Sequence, residues 1–285
     1  MDKETKQAIA DAYEKTVEAA EDTVRRPDIR RLAELGFYSK GILFLFIGAL
    51  AVLLVSGRGH PADATGALAA MAREPYGKIL LAIFVIGAIG HGIWNILRGA
   101  ADVDDAGRDW RGIVQRCIAV GIGIFYLGLA VSALEIILSA RVIDDNSHAE
   151  EAFVGVLLAI PILGAVLSVL IGIGVIVAGL HECYSGLTGK YQKNYRLWEI
   201  SGPKYVFLVV VGVLSFTARA LLLVIMGYLF TKAAFETEAS SIGMDAALMT
   251  LISHSYGRWL VLYTALGLMC HGVLALYEAK YRRIC

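Results

Sequence analysis

Six long apolar stretches constrain this chain more than any other feature of its sequence. A helix needs about 20 mostly apolar residues to cross the roughly 30 Å hydrocarbon layer of a bilayer, because every backbone N–H and C=O there must be bonded within the segment. Stretches of this kind cover residues 41–57, 79–97, 117–134, 152–180, 205–231 and 259–277. The whole chain is 57% hydrophobic, against about 45–50% in ordinary soluble chains. We therefore predict an all-α protein, a polytopic transmembrane bundle of six helices.

The distribution of basic residues predicts the orientation of this bundle. Lys and Arg accumulate in the short loops that stay in the cytoplasm. Nineteen of the 26 lie between Met1 and Lys40, in the second and fourth connections and in the C-terminal tail; six lie in the other connections, and Arg219 falls within a span. We predict a multi-pass protein of the bacterial inner membrane with both termini cytoplasmic. Because acidic and basic residues are equal in number, nothing points to a nucleic-acid partner.

The segment 1–32 is too polar for a secretory signal and predicts a cytoplasmic amphipathic helix. Ile9, Tyr13 and Val17 belong to an apolar stripe at helical spacing, and Pro27 is expected to end this helix. The stripe is suited to rest on the membrane, on the protein itself or on a protein partner.

Motifs of enzymes and metal sites do not occur in the sequence. The four cysteines, Cys117, Cys183, Cys270 and Cys285, fall at predicted cytoplasmic ends without a C-x-x-C pair, which predicts reduced thiols. No phosphate-binding loop, zinc-protease motif or hydrolase motif is found, and no loop is long enough to build a soluble active site. We predict no enzyme activity, no metal site and no resident cofactor.

An internal repeat predicts how the spans are organised. The segment from Tyr76 to Gly92 recurs from Tyr256 to Gly272, and a weaker middle copy ends at Gly179. The preceding spans align through pairs of small residues seven apart, which are Gly41 with Gly48, Gly121 with Gly128, and Ala220 with Gly227. We predict three parallel helical-hairpin repeats, 33–100, 111–189 and 204–283, around a pseudo-threefold axis along the membrane normal.

The opening of the first repeat resembles a known bacterial family. It reads Leu35-Gly36-Phe37-Tyr38-Ser39-Lys40-Gly41-Ile42-Leu43-Phe44 and is similar to the repeat opening of the integral membrane family named domain of unknown function 1206. The resemblance covers most of residues 33–283 and implies three tandem two-span units in a membrane, with no established activity. Two copies depart from the pattern. Val120 stands where the basic residue precedes the repeat glycine, and Ala220 replaces that glycine in the third copy.

Two cations at equivalent repeat positions form the leading candidate site. Arg219 lies inside a span, where a charge costs about 2.5–3.5 kcal/mol, and its repeat partner is Lys40. If both face a common axis, they can hold a small anionic solute or a carboxylate such as Glu34. In the alternative interpretation, both side chains reach the inner interface and have a structural role only.

Two histidines are also equivalent in the repeat. His91 and His271 are expected at equal depth in their spans, and Asn95 follows His91 by one turn. Two imidazoles at one depth can relay protons or bind a haem. In the alternative interpretation, each histidine is a buried neutral side chain that is hydrogen-bonded to a carbonyl and has a structural role only.

Three functions remain open for a bundle of this kind. The favoured one is a pathway or binding site for a small solute or ion, such as an anion, lined by Lys40, Arg219, His91 and His271. The second is a non-transporting scaffold or accessory protein that binds a partner through its N-terminal helix. The third is a redox carrier in which the two histidines ligate haem.

Overall fold

The computed structural model describes residues 27–58, 62–103, 106–107, 109–139, 163–200, 202–236 and 243–281. Most of the helix predicted for residues 1–32 lies outside these residues. The first described helix begins at Pro27, so the predicted end of the preceding helix lies outside these residues. The fixed φ of proline and its missing N–H suit the first position of a helix.

The described residues form eight α-helices and two short 3₁₀ turns. The helices are α1 (Pro27–Val55), α2 (Ala64–Arg73), α3 (Gly77–Ala100), α4 (Trp110–Ser139), α5 (Leu163–Thr188), α6 (Pro203–Glu236), α7 (Met244–Ile252) and α8 (Gly257–Tyr281). The 3₁₀ turns, Lys190–Asn194 and Leu197–Glu199, connect α5 to α6. Six of these helices, α1, α3, α4, α5, α6 and α8, are long and apolar enough to cross a membrane. The predicted all-α bundle of six spans is therefore confirmed.

The bundle has two chemically different ends. Lys40, near the start of the membrane-length part of α1 (Glu34–Val55), contacts Glu278, late in α8, and Arg116, early in α4, contacts the carbonyl of Gly99 at the end of α3. The membrane-length part of α1 and helix α4 thus begin beside the ends of α8 and α3. We call this the basic end. The opposite end carries α2 and α7 and is called the short-helix end.

The spans pack in a cyclic order. Helix α3 packs on α4, α5 on α6, and α8 on α1, so the second span of each hairpin lies against the first span of the next. Within hairpins, α1 packs on α3 and α6 packs on α8. Helices α4 and α5 form no comparable interface in the residues that the structure describes. We call the gap between α4 and α5 the seam.

Small residues allow the spans of neighbouring hairpins to cross closely. A Cβ placed on Gly272 would lie 2.7 Å from the carbonyl oxygen of Gly41, and one on Gly92 would lie 2.9 Å from that of Gly123. Tight backbone contact of this kind stabilises helix pairs in lipid, where burying apolar surface provides no driving force. The glycines therefore fix which helices are neighbours.

The glycine contacts also change the predicted register of the second hairpin. Gly123 occupies the place at the α3–α4 contact that Gly41 occupies at the α8–α1 contact. The predicted counterpart was Gly121, but a Cβ added there would have no atom of a neighbouring helix within 4 Å. The third contact has the expected register, because a Cβ on Gly179 would lie 3.0 Å from the carbonyl oxygen of Ala220. In this register Ile122, rather than Val120, corresponds to Lys40.

Apolar side chains fill the bundle toward the short-helix end. Leu43 and Ile47 of α1, Phe84 of α3, Leu248 of α7 and Leu268 of α8 are almost completely buried in one continuous cluster. This core fills the interior between the charged residues and the short-helix end. The ion pair of Arg219 with Glu182 lies outside this core, toward the basic end.

Candidate functional site: a polar cluster near the basic end

Arg219 of α6 is the centre of a polar cluster inside the bundle. One guanidinium nitrogen, Nη2, donates a hydrogen bond of 2.8 Å to Oε1 of Glu182 on α5. The other, Nη1, lies 3.2 Å from Nε2 and 3.3 Å from Nδ1 of His271 on α8. A planar guanidinium can make both contacts at once because its donors form a rigid fork. Arg219 thus joins three spans.

His271 is enclosed by groups from several other positions. Its side chain is 3% exposed, and Oγ of Ser215 lies 2.9 Å from Nδ1. The ring of Phe44 meets the imidazole edge to face, with 4.5 Å between ring centres. Arg219 and His271, two of the predicted residues, are therefore in contact. Lys40 lies one helical turn before Phe44 on α1.

Lys40 has a carboxylate partner of its own. Its Nζ lies 3.3 Å from Oε2 of Glu278, and the two side chains are 17% and 13% exposed. The side chains of Arg219 and Glu182 are 26% and 21% exposed. All four charges keep some contact with open space although they point into the bundle. Glu182 faces Arg219, and Glu278 faces Lys40.

His91 and Asn95 lie in a different environment from this cluster. The imidazole of His91 packs edge-on against the rings of Phe37 and Tyr126, with 5.1 and 4.5 Å between ring centres. Nδ2 of Asn95 donates to the carbonyl of His91, and its Oδ1 accepts from Arg98 at 3.5 Å. The structure thus places His91 among aromatic rings and His271 among charges. Haem ligation by the two histidines stays a prediction.

A single repeat position explains part of this difference between the histidines. Gly36 of α1 lies against His91, where an added Cβ would be 2.6 Å from the histidine Cβ. Ser215 occupies the corresponding place in α6 and contacts His271 through its hydroxyl. The first copy therefore presents bare backbone to its histidine, and the third presents a hydrogen-bonding group.

The connection between α5 and α6 determines how far from the basic end the cluster lies. Tyr191 in the first 3₁₀ turn stacks on Phe216 of α6, and its hydroxyl lies 3.3 Å from the carbonyl oxygens of Leu208 and Val209. Burial raises the pKa of the Tyr191 phenol. Because the connection covers α6 up to Phe216, the first turns of this 34-residue helix lie alongside it. Arg219 follows one turn further in, so the cluster lies where the connection meets the spans.

Glu182 lies near a span end, where the sequence favours solvation or pairing with an interfacial arginine, but its pairing with Arg219 was not predicted. A signal for it existed in the repeat. Gly92 and Gly179 occupy matching positions, so Asn95 and Glu182, each three residues later, also match. The polar candidate Asn95 in the first copy thus corresponds to the carboxylate that pairs with Arg219. Glu278 was missed because it lies at the polar end of the last span.

Six membrane-length helices packed as hairpins define a multi-pass integral membrane protein. Residues 35–102 and 214–282 match the family model described as Domain of Unknown Function (DUF1206), and these two segments are similar to that family. They coincide with the first and third predicted repeats. The middle repeat stays a prediction that rests on its glycine contacts.

A similar protein is found in Bacillus subtilis (strain 168). The chain is 28% identical over 260 residues to the "Uncharacterized protein YxxB" of that organism, covering 91% of this chain and 93% of the relative. No solved structure matches the chain significantly. The likeness to this relative extends across all three hairpins.

Proposed function

We propose that the polar cluster binds a small anion and that the bundle provides a binding site or pathway for an anionic solute. The contact that carries this proposal is the fork of Arg219, which holds Glu182 and His271 within the bundle while both charged side chains remain partly exposed. A guanidinium binds carboxylates and oxyanions through two parallel donors. A solute carboxylate or oxyanion of suitable size can therefore replace Glu182 at Arg219.

Thermal unfolding in detergent tests the anion site. At constant ionic strength, with gluconate as the bulky reference anion, we expect nitrate, phosphate or succinate to raise the unfolding midpoint by a few degrees. A ligand at one hundred times its Kd stabilises the folded state by about 2.7 kcal/mol. Arg219→Gln should abolish the shift, and Arg219→Lys should reduce it because an ammonium cannot reproduce the fork.

Arg258→Gln serves as the matched control for this experiment. Arg258 is an exposed arginine at the start of α8, at the opposite end of the bundle. Its variant should keep the full anion-dependent shift. An equal shift in Arg219→Gln, or no shift in the native protein with any of the three anions, would refute the anion site.

We further propose that the basic end faces the cytoplasm of a bacterial cell and that both termini lie on that side. The bias of Lys and Arg toward the connections at this end supports it. In a cysteine-free background, His60→Cys should react with a membrane-impermeant thiol reagent in intact cells, whereas Ala106→Cys should react only after lysis. Labelling of position 106 alone in intact cells would show the reverse orientation.

A further inference from the structure

One carboxylate oxygen of Glu182 has no hydrogen-bond partner among the residues that the structure describes. Oε1 accepts from Arg219 at 2.8 Å, whereas Oε2 is buried and accepts from no described group. An ionised carboxylate can accept several hydrogen bonds, and a buried acceptor that receives none is costly. Such atoms are rare in folded proteins and call for an explanation. Oε2 therefore has capacity for a hydrogen-bond donor.

Arg219 has unused capacity of the opposite kind. Its contacts engage the two terminal nitrogens, Nη2 with Glu182 and Nη1 with His271. A guanidinium carries more N–H donors than these two contacts use. The side chains of Arg219 and Glu182 are also 26% and 21% exposed. The ion pair thus offers N–H donors directly beside a carboxylate oxygen that can accept.

Close crossings of α5 and α6 limit the space on both sides of this ion pair. One turn toward the short-helix end, a Cβ on Gly179 would lie 3.0 Å from the carbonyl oxygen of Ala220. One turn toward the basic end, a Cβ on Gly186 would lie 2.6 Å from the Cβ of Phe216. The two helices leave little room at either point, so a solute beside Glu182 has to be small.

A solute with a single charge cannot satisfy both members of the pair. A carboxylate that replaces Glu182 at Arg219 leaves the glutamate without its cation, and an ion pair inside a protein is destabilised when one partner is removed. A cation that binds Glu182 leaves Arg219 in the same position. A solute with both charges compensates both residues and keeps the net charge of the site unchanged.

We propose that the solute of the polar cluster is a small α-amino acid in its zwitterionic form. This inference rests on the proposed function, because the solute carboxylate takes the anion position at Arg219. The ammonium then donates to Glu182, which has moved off the guanidinium and accepts through both oxygens. The two charged groups of an α-amino acid are joined through one carbon atom, which suits two residues in direct contact. Betaines lack N–H donors and do not meet this acceptor.

Equilibrium dialysis with radiolabelled ligands tests this preference on the full chain in detergent. The probes are glycine, L-alanine and L-serine. Propionate supplies the carboxylate alone, ethylamine the ammonium alone, and trimethylglycine both charges without an N–H donor. At least one amino acid should bind about tenfold more tightly than propionate or ethylamine, the effect of one charge-assisted hydrogen bond. Trimethylglycine should bind more weakly than glycine.

Glu182→Gln separates the ammonium contact from the carboxylate contact. The amide has nearly the same shape without the charge, so propionate should still bind at Arg219 while the amino acids lose their advantage over it. Propionate binding also reports that the variant is folded. Glu199→Gln is the matched control, because it makes the same substitution in the connection between α5 and α6 and should keep the full preference. The comparison of glycine with trimethylglycine needs no variant.

Three results would overturn the inference. They are equal affinity of the native protein for propionate and the amino acids, equal affinity for glycine and trimethylglycine, and an unchanged amino-acid preference in Glu182→Gln. If propionate, nitrate or phosphate still binds in the first case, the inference fails while the anion site stands. If neither the amino acids nor any of these anions binds, the inference and the anion site are both refuted.

Discussion

Replacing Gly123 by valine should lower the free energy of unfolding by roughly 2–3 kcal/mol, the upper range for overpacking a tight contact. The added Cβ would lie 2.6 Å from Cγ1 of Ile96 and 2.7 Å from the carbonyl oxygen of Gly92. A backbone carbonyl cannot rotate away as a side chain can, so α3 and α4 must separate. Reversible unfolding in mixed micelles of increasing denaturing detergent measures the loss.

The control for this variant is two residues away on the same helix. Gly121→Val adds the same side chain at a position with no atom within 4 Å, and its unfolding free energy should stay within about 0.5 kcal/mol of the native value. Equal destabilisation by both variants would show that helix α4 is sensitive to valine itself. It would then contradict the register with Gly123 at the contact.

The ion pair between Arg219 and Glu182 should show strong energetic coupling. Breaking a fully buried pair costs about 3–5 kcal/mol and a surface pair about 0–1 kcal/mol. Because these side chains are 26% and 21% exposed, we expect a loss between these limits, about 2 kcal/mol, for Arg219→Gln and for Glu182→Gln. The double variant should be at least about 1 kcal/mol more stable than the sum of the single losses predicts.

A pair outside the spans calibrates this double-mutant cycle. Arg196 and Glu199 are joined at 2.9 Å in the connection between α5 and α6, and their side chains are 24% and 37% exposed. Their coupling should be below about 0.5 kcal/mol. Additive losses at Arg219 and Glu182 would mean that water already satisfies both charges. Displacement of Glu182 by an anion would then have no energetic basis.

The spans were predictable because their length and hydropathy follow from the bilayer itself. The register of the second hairpin was not, because glycines at both 121 and 123 fit a repeat and only the packing of α3 on α4 selects Gly123. The sequence offered no distance between Arg219 and Glu182, which are 37 residues apart. Their pairing follows from the crossing of α5 and α6 near Gly179.

The candidate residues show the same difference between what the sequence predicts and what only the packing determines. The equivalence of Lys40 with Arg219 could be read from the repeat, and Arg219 does contact His271. Which carboxylate faces each cation could not, because Glu182 and Glu278 come from helices whose rotation is set by small-residue contacts. The sequence pattern indicates how deep a residue lies within its span, but not which side chain of another helix it contacts.

The contact between α8 and α1 bears on how the chain is made. Of the six spans, α1 is synthesised first and α8 last, so the Gly41 face of α1 must wait for its partner Gly272 until the other spans have been translated. Until then this face is open to lipid or to an insertion chaperone. A ribosome that stops before α8 releases a protein in which α1 lacks its neighbour and Lys40 lacks Glu278. Such truncated chains should be preferred substrates for membrane proteases, whereas a chain cut only in the connection between α4 and α5 keeps every glycine crossing.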